Sequence, residues 1–307
     1  MARITLRQLE YFVAAAETGS VTAAATRVFL SQSAVSTALA ELEENLGVQL
    51  FVRHARGLTL TTVGQSILRA ARQLLEQADD LERSAEEHNE SLSGKLTVGC
   101  YSTLAPHLLP PVLDAYLRSN PGVDLNFVVG SHAQLRSRLL DGTCDVALLY
   151  DYGFAPDLLA GDVHKVELQA IPPHVLLPEG HPLAEFDDIP IQRLVDEPLI
   201  LFDLPPGGEY FRSLFTLHGL APTIRFRTTE FELVRALVAR GLGYSILTQH
   251  TDIDVSYENR RLVTRPLRGE WHGLPVVAVH LAGSNLTRRA TAFIDQCRHT
   301  LGTDSGR

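Results

Sequence analysis

The sequence predicts a multidomain α/β protein: a small helical module with a β-wing, one long helix, and a larger α/β body in two lobes. Three observations carry this reading. Residues 20–61 read as short helices with capped turns, followed by two alternating strands. Residues 67–85 repeat apolar side chains at 4-3-4-3-4 spacing. Beyond residue 95, strand and helix patterns alternate, as in layered α/β folds.

With 307 residues and 45% apolar content, the chain can bury two or three cores. It has no run of about 18 apolar residues and no signal-peptide h-region, so a cytoplasmic protein without a membrane partner is expected. The net charge of −9 argues against a nonspecific nucleic-acid coat. Residues 1–62 hold five Arg (Arg3, Arg7, Arg27, Arg53, Arg56) and five acids. DNA binding there would depend on a few placed guanidiniums and helix N-termini.

The first helix is expected from Thr5, with Gln8 completing a capping box. Leu6, Leu9, Val13 and Ala16 form its apolar stripe, and Gly19 ends it. Ser20 caps a second helix whose small Ala23–Ala24 face allows close packing, and Phe29 and Leu30 end it. Ser31 caps a third. Val35, Leu39, Leu42 and Leu46 face its core, leaving Gln32, Ser33, Ser36 and Thr37 outward near the helix start. Short polar groups in the first turn suit a helix entering a major groove, with Ser20 and Thr22 of the preceding helix nearby.

Leu50–Val52 and Leu58–Leu60 alternate as two strands around the basic turn Arg53-His-Ala-Arg56-Gly57, a wing suited to phosphates or the minor groove. Residues 4–64 resemble the N-terminal domain of LysR-type transcriptional regulators. The matching residues are Leu6-Arg-Gln-Leu-Glu-Tyr-Phe12, Gly19-Ser20, Ala23-Ala24, Leu30-Ser-Gln-Ser33, Val35-Ser36, Leu42-Glu43, Leu46-Gly47, Leu50-Phe51, Arg53 and Leu60-Thr61. Ser33 departs from the Pro often found in that family. The resemblance implies a winged helix-turn-helix, with the helix-turn-helix proper near Val21 to Ala40.

Thr62 and Gln65 suggest a capping box for the long helix. Its seam, Ile67, Ala71, Leu74, Ala78, Leu81 and Ala85, has heptad spacing over roughly 40 Å. So narrow a stripe on a solitary helix is marginal, so the seam calls for a partner helix, most simply from a second copy. The family resemblance also implies dimerisation here, and a dimer of dimers extends it. Asn89 to Gly94 reads as a polar hinge. The expected domains are 1–61, a 62–94 linker helix and hinge, and a 95–303 body.

In the body, strands are expected at Lys95–Cys100, Asp124–Val129, Asp145–Tyr150, Val175–Leu177, Leu199–Phe202, Ile224–Arg227, Tyr244–Leu247 and Val276–His280. Helices are expected near Pro106–Arg118, Ala133–Leu140, Glu209–Leu217, Glu230–Arg240 and Leu286–Thr300. Such alternation implies sheets with parallel strands. Leu108-Leu-Pro110, Pro121-Gly-Val123, Leu139-Leu-Asp-Gly142, Asp145-Val-Ala147, His181-Pro-Leu-Ala184 and Leu237-Val-Ala-Arg-Gly-Leu-Gly243 resemble the LysR effector domain. That domain is related to periplasmic binding proteins. By this analogy the last strand and helix return to the first lobe, giving lobes of about 95–167 with 265–303, and 168–264.

Ligands of open α/β folds sit beyond the carboxyl ends of strands. Ser102, Thr103, Ser131 and His132 in one lobe, and Phe202, Asp203, Thr228 and Thr229 in the other, occupy such places. Their hydroxyls and free amides suit a small polar, acid-bearing metabolite. Asp203 opposes an anion, which leaves a zwitterionic or neutral effector open. No cofactor, metal or catalytic set is expected. Gly241-Leu-Gly243 lacks a third glycine, and G-x-S-x-G, Walker and H-E-x-x-H motifs are missing from the sequence. The three cysteines, Cys100, Cys144 and Cys297, read as buried thiols, with a redox-responsive Cys100–Cys144 pair as an alternative. The expectation is a non-enzymatic, effector-modulated regulator binding double-stranded DNA and itself, with RNA polymerase as a further partner. A two-lobed solute-binding protein or enzyme is the rival class.

Overall fold

The structure is a computed structural model describing residues 4–54, 57–86, 92–153, 163–249, 251, 253–282 and 286–304. Side chains at 76, 79–86, 303 and 304 lie outside this description. The chain folds as two compact units. The first comprises residues up to Leu96 with 120–124 and 137–144; the second comprises 97–119, 125–136 and 145 onward.

The first unit begins with three helices, α1 (Leu6–Thr18), α2 (Val21–Arg27) and α3 (Gln32–Leu46). Local chemistry sets their ends. Thr5 and Gln8 form the reciprocal capping box, and Gly19 closes α1 at φ 63°. Ser20 and Ser31 accept hydrogen bonds from the Ala23 and Ala34 amides, capping α2 and α3. Leu9, Phe12, Ala15, Ala24, Val35, Leu39 and Leu42 bury their side chains together.

Strands β1 (Phe51–His54) and β2 (Gly57–Leu60) pair antiparallel, Phe51 opposite Leu60 and Arg53 opposite Leu58. The wing is held from two sides. The Leu58 amide donates to the Gly19 carbonyl at 2.7 Å, and the Phe51 ring meets Phe12 edge-on at 5.4 Å.

The long helix α4 spans Thr62–Glu86. Its cap is Thr61, whose hydroxyl accepts from the Gly64 amide at 2.8 Å, rather than the expected Thr62–Gln65 box. The seam divides. Ala71 is buried with Leu68 in the core of the winged module, and Ile67 and Leu75 pack against it. Leu74 is 44% exposed. The first turns of the seam are therefore occupied within their own unit. The side chains of Leu81 and Ala85 fall outside the described residues.

The body contains β3 (Ser93–Tyr101), α5 (Ala105–Ser119), β4 (Gly122–Gly130), α6 (His132–Leu140), β5 (Val146–Tyr150) and β6 (Val163–Ile171). It continues with β7 (His174–Pro178), β8 (Leu199–Phe202), α7 (Gly207–Thr216), β9 (Ile224–Thr228) and α8 (Phe231–Ala239). The last elements are β10 (Ser245–Leu247), β11 (Leu262–Pro266), β12 (Leu274–Leu281) and α9 (Arg288–Asp304). One sheet runs β4-β3-β5-β12-β6, so the last strand lies between β5 and β6. In the other lobe β8 pairs with β9, and β7 lies between β10 and β11. A bridge from Leu199 to Tyr244 joins the two sets.

The sheets are not all parallel: the five-stranded one is mixed, and β10-β7-β11 is antiparallel. β3–β5 and β8–β9 are parallel, but β12 runs antiparallel to both neighbours, and β7 to both of its own. The returning chain enters from the opposite end, which forces this. The sequence pattern does not predict β6 and β11. β6 carries alternating charged residues on an exposed edge, and β11 contains Arg265 and Pro266, which blur a strand signal. β6 continues to Ile171, and β11 to Pro266.

Candidate functional site

Ser31, Gln32, Ser33 and Thr37 are exposed along the start of α3, and Ser36 is half-buried. The Ser31 hydroxyl is the helix cap and lies 3.0 Å from Ser33 Oγ. Thr22 is exposed on α2, while Ser20 is half-buried as a cap. Arg53 is exposed on β1, and Arg56 lies outside the described residues. Glu17 draws Arg27 (2.5 Å) and Arg72 (2.9 Å) to itself, so neither is an uncommitted cation. The unit thus presents a polar first turn and one described wing arginine.

The second constellation lies where strands and helices of the two lobes end. Four rings close a cycle. Tyr101 meets His132 (4.8 Å between centroids) and Tyr150 (6.0 Å); Tyr152 meets His132 (5.5 Å) and Tyr150 (5.9 Å). All contacts are edge-on or tilted, as ring quadrupoles favour. Tyr101 and Tyr150 end β3 and β5, and His132 begins α6. From the other lobe, Tyr210 of α7 lies 5.9 Å from Tyr152, and the Pro205 carbonyl accepts from the Tyr101 hydroxyl at 3.3 Å. Gly207 permits this approach: a Cβ there would sit 2.9 Å from the Tyr152 hydroxyl.

Burial sets the protonation states. It holds His132 neutral, pulling its pKa down to about 4 against the opposing pull of Asp151. It pushes Tyr101 and Tyr210 up to about 12 and raises Tyr150 and Tyr152 as well. These phenols stay protonated. The Tyr150 hydroxyl faces Thr103 and Thr248, yet it makes no hydrogen bond of good geometry. His132 Nε2, Tyr210 Oη and Gln249 Oε1 are likewise buried without a partner. Such atoms are costly unless something pairs with them.

The expected effector residues divide. Thr103 and His132 join the cluster, and Phe202 is buried with its ring 6.3 Å from Phe231. The expectation of free amides is corrected. The Ser102 amide donates to the Gly130 carbonyl, Ser131 to Gln134 Oε1, and Asp203 to the Thr228 carbonyl. The sheet ladder and a capping pair consume them. The Thr228 hydroxyl accepts from the Glu230 amide, and Thr229 is exposed. Asp203 is neutralised by Arg227 (3.0 Å) and Arg212 (3.8 Å). Sequence reasoning does not single out Tyr101, Tyr150, Tyr152, Tyr210 or Gln249. Tyrosines at the ends of two strands, Tyr101 on β3 and Tyr150 on β5, are the available signal.

All three cysteines are free and buried. Burial pushes the Cys100 thiol up, and the neighbouring thiol that adds to this is Cys297. The Cys100 thiol, buried and held protonated, is a poor nucleophile, which weighs against the Cys100–Cys144 redox alternative.

Residues 6–65 match the family described as "Bacterial regulatory helix-turn-helix protein, lysR family", and residues 89–302 match "LysR substrate binding domain". The chain is 28% identical to the transcriptional regulator AlsR of Bacillus subtilis over 98% of each chain. It is 32% identical to CfxR of Cupriavidus necator over 81% of this chain and 77% of that protein. Among solved structures, HinK, a LysR family transcriptional regulator from Pseudomonas aeruginosa, is 34% identical with a TM-score of 0.66. The match covers 97% of this chain and 99% of HinK. A full-length OxyR variant from the same organism is 27% identical with a TM-score of 0.72, the match covering 96% of this chain and 97% of that one. Among the described residues no helix is long and apolar enough to cross a membrane.

Proposed function

Since the chain belongs to the LysR family of transcriptional regulators, we propose that it reads DNA through α3 and the wing and that a small molecule at the ring cluster adjusts that reading. Ser31, Gln32, Ser33, Ser36 and Thr37 contact base edges, and Ser20 and Thr22 lie along the backbone. Arg53 holds a phosphate or the minor groove, and Arg56 is assigned the same role from sequence alone. The protein acts as a homodimer, further pairing into a dimer of dimers, through exposed Leu74 and half-buried Ala78 of the α4 seam and its continuation at Leu81 and Ala85. Its role is sensing rather than turnover.

The observation that carries the sensing role is a set of buried, unpartnered polar atoms: His132 Nε2, Tyr150 Oη and Tyr210 Oη in a cluster drawn from both lobes, and Gln249 Oε1, one residue along from Thr248, which faces Tyr150. Thr103 and Phe202 line the same region, with Ser102, Ser131, Asp203, Thr228 and Thr229 at its margin. A ligand changes regulation only by favouring one conformation; a tenfold affinity ratio supplies about 1.4 kcal/mol.

Two experiments test this. In gel shifts on an operator series, Arg53→Ala weakens every sequence alike and flattens the salt dependence by about one unit. Gln32→Ala changes the sequence preference. Identical losses on all operators in both variants would sink this division. In a reporter screened against metabolites, Tyr150→Phe blunts the response while operator binding persists. An unaltered response would move the effector site elsewhere.

A further inference from the structure

We infer that the effector is an uncharged, ring-bearing molecule with both a hydrogen-bond donor and an acceptor, in place of the acid-bearing metabolite expected from the sequence. This rests on reading the ring cluster as the effector site.

Charge disfavours an anion. The two carboxylates beside the cluster are already paired. Asp203 is held by Arg227 and Arg212, and Asp151 by Lys165 at 3.0 Å. The Ser102, Ser131 and Asp203 amides are spent on neighbouring backbone or side-chain oxygens. An anion entering here would lose its water beside the carboxylates of Asp151 and Asp203, and the guanidiniums of Arg212 and Arg227 are already drawn onto Asp203.

The polar atoms left over set the ligand's own polar groups. Tyr150 and Tyr210 offer phenol hydroxyls, which donate or accept. Gln249 offers an amide oxygen, which only accepts, and His132 offers Nε2 of a neutral imidazole. Their complement is a neutral molecule carrying an N–H or O–H for Gln249 and a carbonyl or ring nitrogen for a phenol.

Shape adds the ring. The walls are the rings of Tyr101, Tyr150, Tyr152 and His132, which favour a flat ring placed edge-on or offset against them. Tyr152 and Tyr210 belong to different lobes, so a ligand that separates or bridges them acts directly on the angle between those lobes.

The test uses the full-length protein and matched probes: benzamide against benzoate, and uracil against orotate. Saturation-transfer NMR and the tyrosine near-ultraviolet dichroism report binding at millimolar concentration. The neutral member of a pair should bind about tenfold tighter or more. Tyr150→Phe and Gln249→Leu should each weaken it about fivefold, the loss of one hydrogen bond. If the carboxylates bind as well or better and the same substitutions weaken them, the ligand class is wrong and the cluster remains the effector site. If the neutral probes bind but neither substitution matters, the reading of the cluster itself fails. Silence of both neutral probes overturns the inference on ligand class.

Discussion

Glu43 on the third helix accepts hydrogen bonds from the backbone amides of Leu50, at 2.7 Å, and Phe51, at 3.2 Å. One half-buried carboxylate therefore ties the groove-facing helix to the first strand of the wing. Hydrogen bonds to a charged group contribute about 1.5–3 kcal/mol. Glu43→Ala should lower the urea-unfolding free energy by about that amount. It should also weaken operator binding, although Glu43 itself faces protein. A loss under about 0.5 kcal/mol would show that the wing holds its angle without this contact.

Phe29 occupies the left-handed position that closes α2, at φ 57°, with its ring 93% exposed. The Leu30 amide reaches the Ala25 carbonyl at 2.9 Å and the Phe29 amide reaches Thr26 at 3.3 Å, the bonding of a Schellman cap. That position favours glycine, and a bulky residue there costs about 1–2 kcal/mol. Phe29→Gly gives up little packing, so calorimetry should show a gain of about 1 kcal/mol, part of the relief being offset by the freer unfolded chain. A less stable variant would mean that the ring makes contacts in the assembled protein. The same variant on operator DNA separates a stability effect from a lost DNA contact.

Leu74 is the most exposed described member of the α4 seam. Leu74→Asp should place a charge in the dimer contact and shift sedimentation toward monomer, with the winged module still folded. Ala71→Asp should instead unfold that module, because Ala71 is 1% exposed within its core. Equal dimerisation of Leu74→Asp and the unaltered protein would remove the seam from the interface.

His132 gives a pH dependence with a defined sign. Its pKa falls from 6.5 to about 4 on folding, because burial disfavours the imidazolium. Between these values the unfolded chain binds more protons, so this contribution is complete above pH 6.5 and is lost as pH falls toward 4. Its size is at most about 3 kcal/mol. The difference in urea stability between the unaltered protein and His132→Gln should shrink over that interval. A constant difference would mean that folding does not lower the His132 pKa.

Helix ends are legible in the sequence because they depend on neighbours three or four residues away. Thr5 with Gln8, Gly19, Ser20 and Ser31 each perform in the structure the capping role their chemistry implies. The cap of α4 falls one residue earlier than expected because Thr61 and Thr62 are chemically alike, and only the meeting of Thr61 with the Leu50 and Gln49 carbonyls distinguishes them. The seam shows a similar limit. Its spacing is real, but spacing does not say whether a leucine or alanine faces its own module or a second chain.

By itself the sequence determined the winged module, the long helix, the order of most strands, and the class of regulator. Those follow from periodicity, caps and a dense local motif. The character of the ligand site was decided by tertiary structure alone. Tyr101, His132, Tyr152 and Tyr210 are far apart in the chain, and they meet because the ends of β3 and β5 and the starts of α6 and α7 converge. The amides of Ser102, Ser131 and Asp203 look available from their positions and are consumed by ladder and capping bonds once the lobes form. Whether a polar group is free depends on every partner that folding brings within about 3 Å, and most such partners are remote in sequence.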